Sequence, residues 1–462
     1  MTRMSSSYRA THPVCNPTES FWQKDQESHI KNYASGTFPA QADILIIGSG
    51  LTGALVAYNL LSRPGPKPSV VMIEARSAAS GGHIKPDVYH GFADYQKFHG
   101  TEIAIKQCHF ERANLQETIK FIQENELTEL VDLVVCRSVN VFSTAKGYAA
   151  SKASYDAFRA AGGNVEGITD HDAEEARKLF RIPDCYGAFS FDAASLWPYK
   201  LAIAVLSRAL ELGLILHTNT SVTEIMQSNL AQGSWTVSTS NPKRQSLTVE
   251  KVVHATNGYV SHLLPELDSR VIPLKGHVAA ITPTATWNER PWPNTGSIHS
   301  DLDYEYIIQR PNAGKHFIIG GGDVVNGGLL APLGDCDDST IDTKVADYLH
   351  TFPARRFGGW VDKNGRDQGP EPTLVWSGIM GLSKDALPFV GELPGKKGQF
   401  MAAGFHGHGM ARIFLTAKNL SRVICGEVLD KDIPEVYFDL ERRMKDPFSL
   451  EDFGLDEKDL KT

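Results

Sequence analysis

A chain of 462 residues with 42% hydrophobic and 22% charged residues has an ordinary globular composition and is long for one core, so two domains interleaved in sequence are expected. The formal net charge of -8 leaves no broad basic surface, which sets aside nucleic acid and anionic membrane as partners. No apolar run approaches a membrane span, the first residues lack the apolar core of a signal peptide, and the six cysteines follow no Cys-x-x-Cys spacing; a cytoplasmic protein with reduced thiols and no metal site is expected.

Residues 1–40 are polar and broken by Pro13, Pro17, Gly36 and Pro39, which predicts a surface arm anchored by Trp22. The run Ile44 to Ile47 then feeds directly into Gly48-x-Gly50-x-x-Gly53, with apolar residues at helical spacing beyond it. This is the pattern of a strand, a tight turn and a helix. Gly48 allows the turn, Gly50 lets a pyrophosphate approach the backbone, and Gly53 lets helix and strand pack closely, with Ser49, Leu51 and Thr52 completing the loop. The helix N-terminus offers free N–H groups to the phosphates. Such a glycine pattern alone is weak, but Ser69 to Ile73 reads as a second buried strand, and it ends in Glu74 where a ribose-binding carboxylate belongs. Glu74 also argues against a 2′-phosphate.

After Ala75 and Arg76, the small-residue loop Ser77 to Pro86, with Gly81, Gly82 and His83, is expected beside the cofactor. Phe98 to about Leu127 reads as a long helix, followed by strands at 133–135 and 140–142. A helix from Trp197-Pro198 to about Leu212, closed by Gly213, precedes strands at 214–217 and 221–225. Glu250 to His254 is a buried strand that stops at the small turn Ala255-Thr256-Asn257-Gly258, expected to return to the same nucleotide site. From Val271 to about Trp376, short strands at 271–273, 278–281, 304–308 and 316–319 predict an antiparallel sheet. Gln399 to Ala403 is a strand, Gly404-Phe405-His406-Gly407-His408-Gly409-Met410 a glycine-rich turn, and Ala411 to Cys425 a helix closed by Gly426, giving a second place to hold a polar or anionic cofactor group.

Four ordered signatures carry a resemblance: Gly48-Gly50-Gly53 with Glu74, the strand end Val253 to Tyr259, the run Trp376 to Gly381 with Asp385 to Gly391, and Gly404 to Gly409. In them the chain resembles the FAD-dependent amine and amino-acid oxidoreductases of the D-amino-acid oxidase superfamily, which includes glycine oxidase, sarcosine oxidase and γ-glutamylputrescine oxidoreductase. The resemblance implies an α/β fold in which a Rossmann-like FAD-binding domain of glutathione-reductase type is interleaved with an antiparallel-sheet substrate domain. In residue numbers this is an arm at 1–40, FAD-binding parts at 41–95, 151–270 and 371–462, and substrate parts at 96–150 and 271–370. It implies FAD bound in extended form by Gly48 to Gly53, Glu74, Ala75, Arg76, Gly81, Gly82, His83, Val222, Ala255 to Gly258, Gly378, Gly404 and His406 to Met410. Members oxidise a C–N bond by passing hydride to flavin N5, and water hydrolyses the resulting imine. A small-molecule substrate, O2 as acceptor and a monomer or homodimer are therefore expected.

Two departures stand out. Related sequences carry a longer loop before the Gly-Gly-His, whereas here only Ser77 to Ser80 follow Arg76; and Gly378 stands where the sarcosine oxidase branch tethers its flavin through cysteine, which excludes a tether there. Four residues are candidates for catalysis. His83 either contacts cofactor or substrate or is a solvated loop histidine. His406 and His408 either line the site or bond to backbone. Lys275 either stabilises negative charge on the reduced ring or points to solvent. The leading reading is oxidation of an amine, amino acid or imino acid. A tailoring oxidase for a bulky metabolite, given room by the short loop, and a flavoprotein scaffold for a non-redox transformation stand beside it.

Overall fold

The computed structural model describes residues 8–24, 26, 28–76, 83–229, 233–240, 246–301, 304–311, 314–328, 332–361 and 371–449. Two eight-stranded sheets organise them.

The first sheet is built on Gln41–Ile47, which lies between Val70–Ile73 and Ser246–His254. Beyond these come Ile215–His217 on one side and Gln399–Ala403 on the other, and every pairing from one to the other is parallel. Phe389–Glu392 adds an antiparallel edge. The central strand is buried on both faces, which is why it reads as a continuous apolar run rather than an alternating one. Ile44 and Ile46 face the helices Leu51–Leu61, Pro198–Glu211 and Gly409–Ile424, whereas Leu45 and Ile47 face a second apolar layer with Val71, Ile73, Val237 and Val249. That layer is roofed by the antiparallel pair Val222–Gln227 and Trp235–Thr239.

The second sheet runs Glu371–Leu382, Ile272–Thr282, Phe317–Gly320, Tyr304–Gln309, Thr295–His299, Val134–Phe142, Gly187–Ser195, Thr169–Asp172. It is antiparallel except where Thr295–His299 runs parallel to Val134–Phe142. The helix Thr343–Arg356 and the rings of Trp287, Trp292, Phe317, Phe357 and Trp360 fill the core on one of its faces.

The expected domain parts need correcting at two places. Strands Thr169–Asp172 and Gly187–Ser195 belong to the second sheet, so residues 151–195 run with it rather than with the nucleotide sheet. Gly187–Ser195 escapes a pattern search because its Ala, Ser and Phe residues are buried on both faces and show no alternation. Likewise Glu371–Leu382 pairs with Ile272–Thr282, so the chain returns to the first sheet only after Leu382. Ile272–Thr282 is itself one strand where two short ones are expected. The long helix starts earlier than predicted, at Phe92, and is interrupted at Gly100, whose φ of 81° is not helical.

The arm is docked as expected. Trp22 is 3% exposed among Trp197, Tyr199, Ile308 and Trp376, and its carbonyl accepts the Trp197 indole N–H at 2.7 Å.

Candidate functional site

The glycine turn at the head of Gln41–Ile47 is as tight as its sequence demands. A Cβ on Gly53 would lie 2.1 Å from the Gly48 carbonyl oxygen, and one on Gly48, whose φ is 104°, would lie 2.6 Å from the Ala255 oxygen. The two strand ends therefore meet, as expected of the turn after His254. The helix Leu51–Leu61 begins at Gly50 with no side-chain cap, so its first N–H groups remain available to an anion. Beside this turn the hydroxyl of Thr256 is buried and lacks a partner, a group in want of a ligand.

Glu74 is fixed by this turn. One carboxylate oxygen accepts from the Ser49 N–H at 2.9 Å and its hydroxyl at 3.0 Å, and the other accepts from the Arg76 N–H at 2.9 Å. The second oxygen keeps an acceptor site for a hydroxyl. The Arg76 side chain turns away, donating to both oxygens of Asp338 at 2.9 and 2.8 Å. Val222 is buried in the apolar layer beneath the sheet. Ala75 is partly exposed between Glu74 and Arg76. Gly81 and Gly82, with the shortened loop before them, lie outside the described residues.

The second glycine loop is tied to the first unit by Asn257. In a left-handed conformation (φ 45°), its side-chain oxygen accepts the N–H groups of Gly404 at 3.0 Å and Phe405 at 3.2 Å. Gly258 packs so closely that a Cβ there would sit 2.3 Å from the Met380 oxygen. His406 Nδ1 accepts the Ser383 N–H at 3.2 Å, so its proton resides on Nε2. Burial, with the charges of His408 and Arg412 nearby, lowers its pKa to about 3, and this ring stays neutral. His408 leads into the helix Gly409–Ile424 with its Nδ1 3.7 Å from Glu111, a buried carboxylate bonded to Arg412 at 2.7 Å. Met410 is buried, and its carbonyl accepts from Asn114. In contrast to these crowded positions, a Cβ on Gly378 would meet nothing within 4 Å and one on Gly407 nothing nearer than 3.8 Å. Space is left in front of Gly378, while a Cβ on Gly407 would make ordinary contact with Met380.

Sequence reasoning missed a polar cluster on the second sheet. The Lys85 ammonium donates to the Ser297 hydroxyl at 2.9 Å; Ser297 lies 3.1 Å from Asn140 Oδ1 and 2.7 Å from His299 Nε2. Burial pushes the lysine down to about 8 against the pull of Asp87 and Glu111. The His83 ring lies 5.5 Å from Tyr306, and burial, then Lys85 and His408, lower it to about 3. His299 stacks on Tyr304 at 5.5 Å and lies 5.0 Å from His90. His83 and Lys85 flank Ile84, which pairs with Ala194 in extended form, so both point the same way. That i, i+2 spacing was a legible signal; the pairing of Asn140 with Ser297 across two strands was not.

The structure thus brings His83, His408 and Lys85 into one electrostatic neighbourhood and treats Lys275 differently. Its ammonium donates to Thr340 Oγ1 at 2.6 Å and pairs with Asp335 at 3.2 Å, its side chain being only 7% exposed. It neither points to solvent nor joins the Lys85 cluster's hydrogen bonds. Among the described residues, no group of three or more His, Cys, Asp or Glu is arranged to hold a metal.

Residues 43–423 match the family described as FAD dependent oxidoreductase (DAO). No curated protein sequence matches the chain. Among solved structures, glycine oxidase from Geobacillus kaustophilus is similar at 20% identity, covering 88% of this chain and 98% of that one with a TM-score of 0.65. L-proline dehydrogenase from P. horikoshii is similar at 17% identity, covering 89% and 100% with a TM-score of 0.66. L-alpha-glycerophosphate oxidase from Mycoplasma pneumoniae, with FAD bound, gives 17% identity, 85% and 96% coverage and a TM-score of 0.60. At these identities the likeness is one of fold.

Proposed function

The chain belongs to the FAD dependent oxidoreductase family, and from that premise we propose that it oxidises the C–N bond of a small amino or imino acid, with O2 as the acceptor. The partly buried ammonium of Lys85, which burial pushes down to about 8, carries this reading. Asp87 and Glu111 offset only part of the cost of desolvating this cation, and a substrate carboxylate would offset more, which favours amino acids over simple amines.

FAD, when bound, would supply the acceptor for the hydride, with its two electrons, from the carbon beside nitrogen. The turn Gly48 to Gly53 and the uncapped Leu51–Leu61 helix would hold its pyrophosphate and Glu74 the ribose, while Ala255 to Gly258, Gly378, Gly404 and His406 to Met410 would flank the rest. The orphaned Thr256 hydroxyl and the room at Gly378 suit such a group. Lys85, steadied by Ser297, orients the carboxylate. His83 and His406, neutral, line the site without adding charge, and Tyr304 and Tyr306 shape its wall. Among the described residues no helix is long and apolar enough to cross a membrane. The six unpaired cysteines and the acidic balance support a cytoplasmic setting.

The direct test is anaerobic titration of the purified yellow protein with a panel of amino acids, imino acids and the corresponding decarboxylated amines. Bleaching of the flavin band by acids but not by their amines, followed by peroxide on admitting air, is expected. Bleaching by the amines alone would overturn the carboxylate reading.

A further inference from the structure

A cavity of about 420 Å³ opens on the face of the second sheet to which Val139 and Val141 point, opposite the face of Asn140 and Ser297. The helix Ala173–Phe180, the strands carrying Arg137 and His171, and the loop from Arg290 to Asn294 enclose it. Three arginines, Arg137, Arg181 and Arg290, line it together with His171, Phe180 and Trp292, and among the described residues in its lining none is acidic.

These cations are held in different ways. Arg137 has a partner, Asp192, at 2.9 Å on the rim, and also donates to Ser190. His171 bonds Ser190 at 2.9 Å and lies 3.2 Å from Glu175. Arg181 sits at the C-terminal end of its helix with φ 58°, a conformation in which glycine is the usual residue. Its guanidinium lies 3.5 Å over the fully buried Trp287 ring, and its carbonyl accepts the Gly358 N–H at 2.8 Å. Burial and the charge of Arg290 together push it down to about 10. Like charges that repel one another across a cavity are stabilised by an anion between them, and a rigid guanidinium fork matches an oxyanion in geometry as well as charge.

We propose that Arg137, Arg181 and Arg290 bind the oxyanion head of a small molecule whose apolar body lies against Phe180 and Trp292, at a site separate from the redox centre. The two are neighbours along the chain. The Trp292 ring lies where a Cβ on Gly296 would be 3.0 Å away, and the next residue is Ser297, the partner of Lys85.

The test uses the FAD-loaded protein titrated calorimetrically with inorganic phosphate and, separately, with benzoate. In K85M, which removes the carboxylate partner at the redox centre, saturable binding of either is expected, weakened at least tenfold when R290A or R181G, where glycine suits the backbone, is added. Tighter phosphate binding assigns a phosphoryl head; tighter benzoate binding assigns a carboxylate with an apolar body. No saturable heat with either probe, or binding lost in K85M yet kept in R290A and R181G, overturns the proposal. Because Arg290 is exposed, R290A tests the site even if R181G fails to fold.

Discussion

The Asn257 side-chain oxygen accepts the Gly404 amide at 3.0 Å, joining the end of one strand of the nucleotide sheet to the loop that leads out of its neighbour. The same oxygen takes the Phe405 amide at 3.2 Å. Asn257→Ala leaves two loop donors unsatisfied and keeps a strained left-handed residue, which should cost about 2–3 kcal/mol. Asn257→Asp retains the acceptor and should recover most of it. Urea unfolding of both variants decides; equal losses would mean that the amide bonds are not what matters there.

Two glycines should behave oppositely. Gly53→Ala forces a methyl group to 2.1 Å from a backbone oxygen and should cost about 3 kcal/mol or prevent folding. Gly378→Ala adds a methyl group to open space and should change stability by less than about 0.5 kcal/mol. If cofactor or substrate fills that space, Gly378→Ala instead weakens FAD retention or raises KM, read from flavin absorbance after gel filtration and from steady-state kinetics. A variant with unaltered stability, flavin content and KM would show the space to be unused.

The pH profile should reveal Lys85. Its pKa is lowered, to about 8, so the ammonium is present below that pH and lost above it. Binding of a carboxylate substrate should follow the charge: kcat/KM flat below pH 8 and falling above. Lys85→Arg, charged throughout, should abolish the alkaline fall, while Lys85→Met should lower kcat/KM by about 10–100-fold at pH 7. A rate that rises through pH 8 would instead assign the lysine as a proton acceptor. His83 and His406, both near 3, should leave no inflection between pH 5 and 8.

Glu111 and Arg412 form an ion pair with both side chains fully buried. Burial alone would raise the Glu111 pKa, but Arg412 and then His408 overcome it and hold the carboxylate well below its usual range. A group depressed in the folded state stabilises the fold above its unfolded pKa and loses that contribution as pH falls through the folded value. Stability should therefore decline below about pH 4.3, the ordinary glutamate value. Glu111→Ala strands a buried guanidinium and should cost about 3–5 kcal/mol at pH 7, visible in the urea midpoint.

The nucleotide half of the protein was legible because its chemistry is local. A glycine that must approach a carbonyl, an acid at the end of the next strand, and a small-residue turn at a third strand are each written in a few adjacent residues. The Lys85 cluster was not, since its members come from a loop near residue 85 and from strands near 140 and 298, and nothing in the chain announces that those strands are neighbours. The partners of Lys275 were equally hidden: Asp335 and Thr340, which hold its ammonium, lie 60 and 65 positions away. Glu111 and Arg412 were invisible for the same reason, each reading as an ordinary charge on its helix.

The strand Gln41–Ile47 pairs with one neighbour from residues 70–73 and another from 246–254, which in turn pairs with 399–403. During synthesis the amino-terminal unit therefore leaves the ribosome long before the strands that complete its sheet. Until about residue 403 emerges, one flank of that apolar layer is open to other chains. Pairings this far apart in sequence make folding slow, and they make the interval before closure the period when a chaperone is most needed.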